Sequence, residues 1–270
     1  MPPEFLREPL GKLRSPVCRI GLSATYRPGR ATILRALDEG LNYFFYFGFD
    51  SQMTAVLRDA IHARRDQYIL ATGAYNYIFG HQNLRRALEK RLRQMHTDYI
   101  DIFHFLGVTK ARQFTPQVRE ELQAVRESGL VRGVGISTHD RKLAAQLARE
   151  GTVDAITIRY NAAHRGAETE IFARLPESNP AVVSYTATRW TALIRRPRGY
   201  PKDGRVPTAG MCYRFVLSNP AVHVCLMAPS NLRQFETNLA EIRRGPLDED
   251  EMQFMRDFGG VVYEQQKYFM

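Results

Sequence analysis

Residues Tyr99–Ser137 read YIDIFHFLGVTKARQFTPQVREELQAVRESGLVRGVGIS, and this stretch decides the fold. YIDIFHF is a short apolar run rich in β-branched and aromatic residues, as a buried parallel strand requires. VREELQAVRESG places apolar residues at helical spacing and ends on glycine, the residue that caps helices in a left-handed conformation. VRGVGIS from Val131 is a second apolar run. The same rhythm extends outward in both directions. Strands are expected at VCRIGLS from Val17, NYFFYF from Asn42, QYILAT from Gln67, VDAITI from Val153, AVVSYT from Ala181 and AVHVCLM from Ala221. Helical periods such as ATILRALDEG, LRRALEKRLRQM and LRQFETNLAEI lie between them. Eight strand–helix pairs predict an α/β chain folded as a single (β/α)8 TIM barrel over residues 1–270, with its chemistry at the C-terminal ends of the strands. An open doubly wound sheet is the alternative, but no GxGxxG follows the first strand.

The chain has 270 residues, of which 44% are hydrophobic, enough for one large core without a second domain. No run approaches the roughly 20 apolar residues of a membrane span, and the N-terminal sequence lacks the apolar core of a signal peptide. A cytoplasmic protein with no membrane association is therefore expected. Cys18, Cys212 and Cys225 are widely spaced in apolar segments, which suits reduced core thiols and implies no metal. The formal charge of +10 is spread along helices together with acidic residues, apart from RRPRGYPKDGR at 195–205. No nucleic-acid module accompanies that cluster, so it reads as a solvated loop. The overall charge suits attraction of an anionic cofactor or substrate.

From Leu10 to about Ile242 the chain resembles the aldo-keto reductases, especially the branch that includes potassium-channel β subunits and bacterial general-stress reductases. Six pieces in order carry the resemblance: PLGKLRSPVCRIGLS, DEGLNYFF, LEKRLRQMHTDYIDIF, VRESGLVRGVGIST, IRYNAAHR and APSNLRQFETNL. The resemblance implies a nicotinamide dinucleotide lying across the barrel mouth. Ser137 and Thr138 occupy the family's Ser-Asn position, where polar side chains bond the nicotinamide carboxamide. Thr157 stands where the family has Gln, and Tyr185 matches the tyrosine whose ring stacks on the nicotinamide. Ser230, Gln234 and Asn238 repeat the family's Ser-x-x-x-Gln-x-x-x-Asn spacing after the last strand. Arg233 beside them suits a ribose 2′-phosphate, which favours NADP over NAD. Arg189, Arg195 or Arg196 could add positive charge after the seventh strand.

The family's proton-delivery tetrad is a different matter. Its aspartate position is placed at Tyr46 in NYFFYFGFD, its tyrosine near Ser51, its lysine at Gly73 and its histidine at Leu106. His104 lies two residues before Leu106, so it should face the same side of its strand, the barrel interior. Tyr46, Tyr75 and His104 are the expected substitute polar cluster, with Tyr46 and His104 as the catalytic candidates. No lysine is left to lower a tyrosine pKa from about 10. Two functions follow. One is an NAD(P)H-dependent oxidoreductase acting on a carbonyl-type small molecule without the standard tetrad. The other is a catalytically inactive homologue that binds dinucleotide or a protein partner. A different barrel chemistry, such as a lyase or isomerase, has no paired carboxylates or metal ligands in its favour.

Overall fold

The computed structural model describes residues 4–75, 82–175 and 180–265. Eight strands close into a barrel: β1 Ile20–Ser23, β2 Tyr43–Phe45, β3 Ile69–Tyr75, β4 Ile100–Val108, β5 Val131–Thr138, β6 Ala155–Arg159, β7 Ala181–Tyr185 and β8 Val224–Met227. All eight pairings are parallel, and β8 closes the ring by pairing with both β1 and β7. The helices of the outer ring are α1 Arg30–Asp38, α2 Gln52–Ile61, α3 Leu84–Met95, α4 Pro116–Glu127, α5 Arg141–Arg149, α6 Ala167–Glu170, α7 Ala209–Leu217 and α8 Leu232–Ile242. A further helix, α9 Glu249–Gln265, follows. The (β/α)8 barrel expected from the strand count is the fold observed.

Local sequence explains where the helices start and stop. Asn83, Thr115, Asp140, Thr208 and Asn231 each accept a backbone N–H of the first turn of α3, α4, α5, α7 and α8, which satisfies donors that have no intrahelical partner. Pro116 opens α4, where a missing N–H costs nothing. Gly40 after α1 and Gly129 after α4 have φ of 80° and 72°, left-handed values that favour glycine.

One strand differs from its sequence expectation. Val17 and Cys18 do not enter the barrel; Pro16–Cys18 pairs antiparallel with Arg7–Pro9 in a separate ribbon, and β1 begins at Ile20. The break falls at Arg19, which is buried and donates to the carbonyls of Leu217 and Val222.

The strands separate two packed layers, because successive side chains on a strand point to opposite faces. Tyr43, Phe45, Ile69, Ala71, Ile102, Leu106, Ala155, Val183 and Leu226 fill the barrel interior, where Leu10 and Val17 join them. Phe44, Tyr46, Leu70, Phe103, Phe105 and Ile136 pack outward in the larger core shared with the helices. This alternation decides which residues can reach a ligand at the mouth. Two arginines are held by carboxylates under the surface. Arg65 meets Asp101 at 2.7 Å, and Arg214 on α7 grips both oxygens of Glu251 on α9 at 3.0 and 2.7 Å. Cys18, Cys212 and Cys225 are buried and unbridged. Among the described residues no helix is long and apolar enough to cross a membrane, and no cluster of His, Cys, Asp and Glu could hold a metal ion.

Candidate functional site

A cavity of about 320 Å³ opens at the C-terminal ends of the strands. Its inner surface comes from Phe45, Leu106, Thr157 and Leu226. Its walls come from Tyr75, Ser137, His139, Tyr185 and Tyr213, and its rim includes Tyr26, Phe47 and Trp190. None of the described lining residues is Lys, Arg, Asp or Glu. The described lining is aromatic, hydroxyl-rich and uncharged, with Arg159 close enough to act on His139 and Tyr185, and burial of an apolar ligand surface would supply most of its binding energy.

Strand register brings the nicotinamide candidates together. Ser137 pairs with Thr157 across β5 and β6, Thr157 with Val183 and Arg159 with Tyr185 across β6 and β7. Ser137, Thr157 and Tyr185 therefore share one sector of the mouth, and all three line the cavity. Thr138 does not. It follows Ser137 by one residue, so its side chain points to the opposite face, where it is buried and its hydroxyl accepts the N–H of Asp140 ahead of α5. The expected nicotinamide contact at Thr138 is replaced by a structural role in the turn leading into that helix.

His139 is the residue that sequence reasoning passed over. It lies two positions after Ser137 and so returns to the cavity side, edge-on to Tyr185 with ring centroids 5.9 Å apart. Its Nε2 lies 3.3 Å from the Tyr185 hydroxyl, while Nδ1 is buried without a hydrogen-bond partner. Burial, reinforced by Arg159, lowers its pKa to about 4, so the ring is neutral at pH 7. Burial also pushes the Tyr185 phenol well above the ordinary tyrosine range, with Arg159 and a Ser137 hydrogen bond opposing it.

The two expected catalytic residues are parted by the strand alternation. Tyr46 faces outward, fully buried in the helix layer, and its hydroxyl has no partner there. Phe45, not Tyr46, is the residue at the end of β2 that faces the cavity, so Tyr46 cannot stand in for the family's aspartate there. His104 faces the interior but is sealed off from the cavity lining, with no exposed surface. Its Nδ1 lies 3.2 Å from the Thr72 carbonyl, an acceptor, so Nδ1 carries the proton. Nε2 then accepts the Thr157 hydroxyl at 3.0 Å. Burial lowers the His104 pKa to about 4.

Two glycines make this arrangement fit. His104 pairs in register with Gly73 on one side and Gly135 on the other. A Cβ on Gly135 would meet the imidazole Cδ2 at 2.6 Å, so the ring passes over Gly135 to reach Thr157. A Cβ on Gly73 would meet the His104 carbonyl oxygen at 2.2 Å. Gly73, the expected lysine position, is thus closed to any side chain in this backbone arrangement, and the expected cluster of Tyr46, Tyr75 and His104 does not form. Ser51 ends a loop in which Asp50 accepts the N–H groups of Met53 and Thr54 at the start of α2.

At the other end of the expected cofactor site, Ser230 donates both its N–H and its hydroxyl to Gln234 Oε1 at 2.9 Å. Asn231 caps α8, and Asn238 reaches back to Met227 Sδ at 3.7 Å. Arg233 is exposed on the same helix. The loop after β7 holds Thr186, Arg189, Trp190 and Thr191 at positive φ. Arg189 is buried, with Nε donating to His164 Nε2 at 3.0 Å, and Arg196 donates to the carbonyls of Pro201 and Gly204. Arg189 is therefore directed inward, and Arg196 holds its own loop together.

Comparison with known proteins agrees with this architecture. An uncharacterized oxidoreductase of Bacillus subtilis (strain 168), YqkF, is 21% identical over 259 residues, covering 82% of this chain and 84% of the relative. The solved aldo-keto reductase AKR11C1 from Bacillus halodurans, in its holo form, superposes with a TM-score of 0.77 at 21% identity, over 97% of this chain and 99% of its own. An aldo/keto reductase from Klebsiella pneumoniae, solved in complex with NADP and acetate, gives a TM-score of 0.72 at 20% identity, over 93% of this chain and 94% of its own. The model of the aldo/keto reductase family matches residues 30–203, well over half of the sequence, and the chain belongs to that family.

Proposed function

We propose that this chain is an NADP(H)-binding oxidoreductase that reduces a small, neutral, carbonyl-type compound without the family's Asp-Tyr-Lys-His tetrad. The observation that carries this reading is the convergence of Ser137, Thr157 and Tyr185 from three adjacent strands on one uncharged cavity at the barrel mouth. The residues present fit a nicotinamide. Tyr185 offers an aromatic face, and Ser137 a hydroxyl. Thr157 spends its proton on His104 but keeps an oxygen able to accept from an amide. The unsatisfied Nδ1 of His139 adds hydrogen-bonding capacity on the same wall. Ser230, Arg233, Gln234 and Asn238 lie beyond the end of β8 and suit the adenosine end, with the Arg233 guanidinium meeting a 2′-phosphate. A Klebsiella pneumoniae relative of the same fold was solved with NADP, which supports the choice of cofactor.

When bound, a reduced nicotinamide supplies hydride to a carbonyl carbon. The chain's own contribution is to orient the two reactants, exclude water with Phe45, Phe47, Leu106 and Leu226, and provide a proton at the carbonyl oxygen. No charged residue lines the cavity among the described residues, which favours a neutral substrate. A second reading is favoured by Tyr46, Gly73 and Leu106 at three expected tetrad positions: a homologue that binds dinucleotide without turnover, or that serves a protein partner.

NADPH oxidation by the purified chain with neutral aromatic aldehydes, ketones and quinones separates the two. The reductase reading predicts substrate-dependent oxidation. It also predicts that Arg233→Ala weakens NADPH about tenfold, or ~1.4 kcal/mol, while leaving NADH unchanged. Binding of NADPH with no turnover across the panel would sink the reductase reading and leave the non-catalytic one.

A further inference from the structure

Removal of the tetrad leaves carbonyl reduction without an obvious proton source. Five titratable side chains reach the cavity among the described residues: Tyr26, Tyr75, His139, Tyr185 and Tyr213. Tyr26 stands on the rim, about half exposed. His139 and Tyr185 are turned towards each other, and Tyr213 hydrogen-bonds to the backbone of Ala228. Tyr75 is different. It ends β3, two residues beyond Gly73 and therefore on the same interior-facing side, and it pairs in register with Leu106 on β4. It thus stands beside the histidine position of the family's tetrad and one step above the lysine position. Phe47 holds its ring at 6.2 Å between centroids, and Gly107, at a φ of 79°, lets the ring lie close against the β4 backbone. Its hydroxyl makes no hydrogen bond to a described residue, and burial raises its pKa.

We infer that Tyr75 is the proton donor to the substrate oxygen, a catalytic residue that takes over the task of the lost tetrad tyrosine from a different strand. The assignment rests on the reductase reading above. As a hydride from the reduced nicotinamide forms the new C–H bond at the carbonyl carbon, the C=O π electrons move to oxygen. That oxygen takes the Tyr75 hydroxyl proton, so the phenolic O–H bond breaks as the alcohol O–H bond forms. The tyrosinate left behind recovers a proton from water at the open mouth. Burial pushes the Tyr75 pKa up to about 12. An alkoxide is a base of roughly hydroxide strength, for which the conjugate acid has a pKa of about 15.7, so the transfer runs downhill without an adjacent lysine. The same elevation keeps the phenol protonated across the whole neutral and mildly alkaline range.

The test is Tyr75→Phe in the full chain. Steady-state reduction of the best neutral aromatic aldehyde or ketone is measured together with NADPH titration and thermal melting. The expected result is a fall in kcat of about 100-fold or more, with KM and NADPH affinity within about twofold of the parent. Tm should be unchanged or higher, because the lost hydroxyl has no hydrogen-bond partner among the described residues to strand. The parent's kcat should stay flat up to about pH 10, and Tyr75→Met, which also lacks the hydroxyl, should repeat the kinetic loss if the phenylalanine variant folds poorly. Undiminished turnover in Tyr75→Phe overturns the assignment and leaves the reductase reading standing. A lost activity accompanied by a large drop in Tm in both variants overturns it as well, since the hydroxyl would then serve the fold. A parent chain that binds NADPH and reduces nothing overturns both.

Discussion

Acidification from pH 7 to pH 5 should cost this protein stability through its buried neutral histidines, His104 among them, and His104→Gln isolates the share of that one. In the folded chain the imidazole is fully buried, Nδ1 donates to the Thr72 carbonyl and Nε2 accepts from Thr157, so the neutral ring is the form that fits. Its pKa is lowered to about 4, against about 6.5 in the unfolded chain. Above pH 6.5 neither state binds the proton, and the group has no effect on the pH dependence. As pH falls through 6.5 the unfolded chain takes up a proton that the folded chain refuses, so stability declines until about pH 4 is reached. For these two pKa values the linkage relation gives a loss of about 2 kcal/mol at pH 5. Urea unfolding of the parent and of His104→Gln at both pH values measures it. The variant has no titrating group at this position, so the pH-induced change in unfolding free energy should be smaller by about 2 kcal/mol than in the parent. Equal pH dependence in the two proteins would refute the buried neutral histidine, whatever the absolute stabilities.

Gly135→Ala should destabilise the fold by about 1–3 kcal/mol, since the added Cβ would sit 2.6 Å from the His104 ring, and urea unfolding at pH 7 reads the loss. Gly73→Lys should fail to restore a tetrad: its Cβ would lie 2.2 Å from the His104 carbonyl oxygen, so a lowered Tm with no gain in NADPH-dependent turnover is expected. Glu251→Ala leaves the Arg214 guanidinium buried between the carbonyls of Gly245 and Pro246 without its carboxylate. A loss of about 3–5 kcal/mol in denaturant unfolding is expected.

Much of the architecture was legible because the strand–helix alternation is a local signal that repeats along the chain. The stretch from Tyr99 to Ser137 contains it in full, and the structure has β4, α4 and β5 there. The interior direction of His104 was also legible, from its two-residue spacing to Leu106. The end of β2 was not. Tyr43 to Phe47 is an unbroken aromatic run, so no change from polar to apolar marks which residues face inward, and a one-residue shift exchanges Tyr46 for Phe45. Thr138 and His139 could have been assigned by the same parity rule: adjacent Ser137 and Thr138 cannot both face the cavity, while Ser137 and His139 can. The hydrogen bond from Thr157 to His104 spans three strands and depends on a glycine between them, a tertiary fact without a sequence signature. At the adenosine end the spacing of Ser230 and Gln234 was visible, but their bond to each other was not.

The chain's only tryptophan, Trp190, stands at the rim of the cavity and offers a direct measurement of the central claim, that a nicotinamide dinucleotide binds there in the absence of the tetrad. Titration of the purified protein with NADPH, monitored by Trp190 fluorescence, should give saturable quenching at one equivalent per chain. The quenching should be weakened when Tyr185→Ala removes the stacking face. Fluorescence that stays unchanged with both NADPH and NADH, together with no heat of binding by calorimetry, would contradict the account.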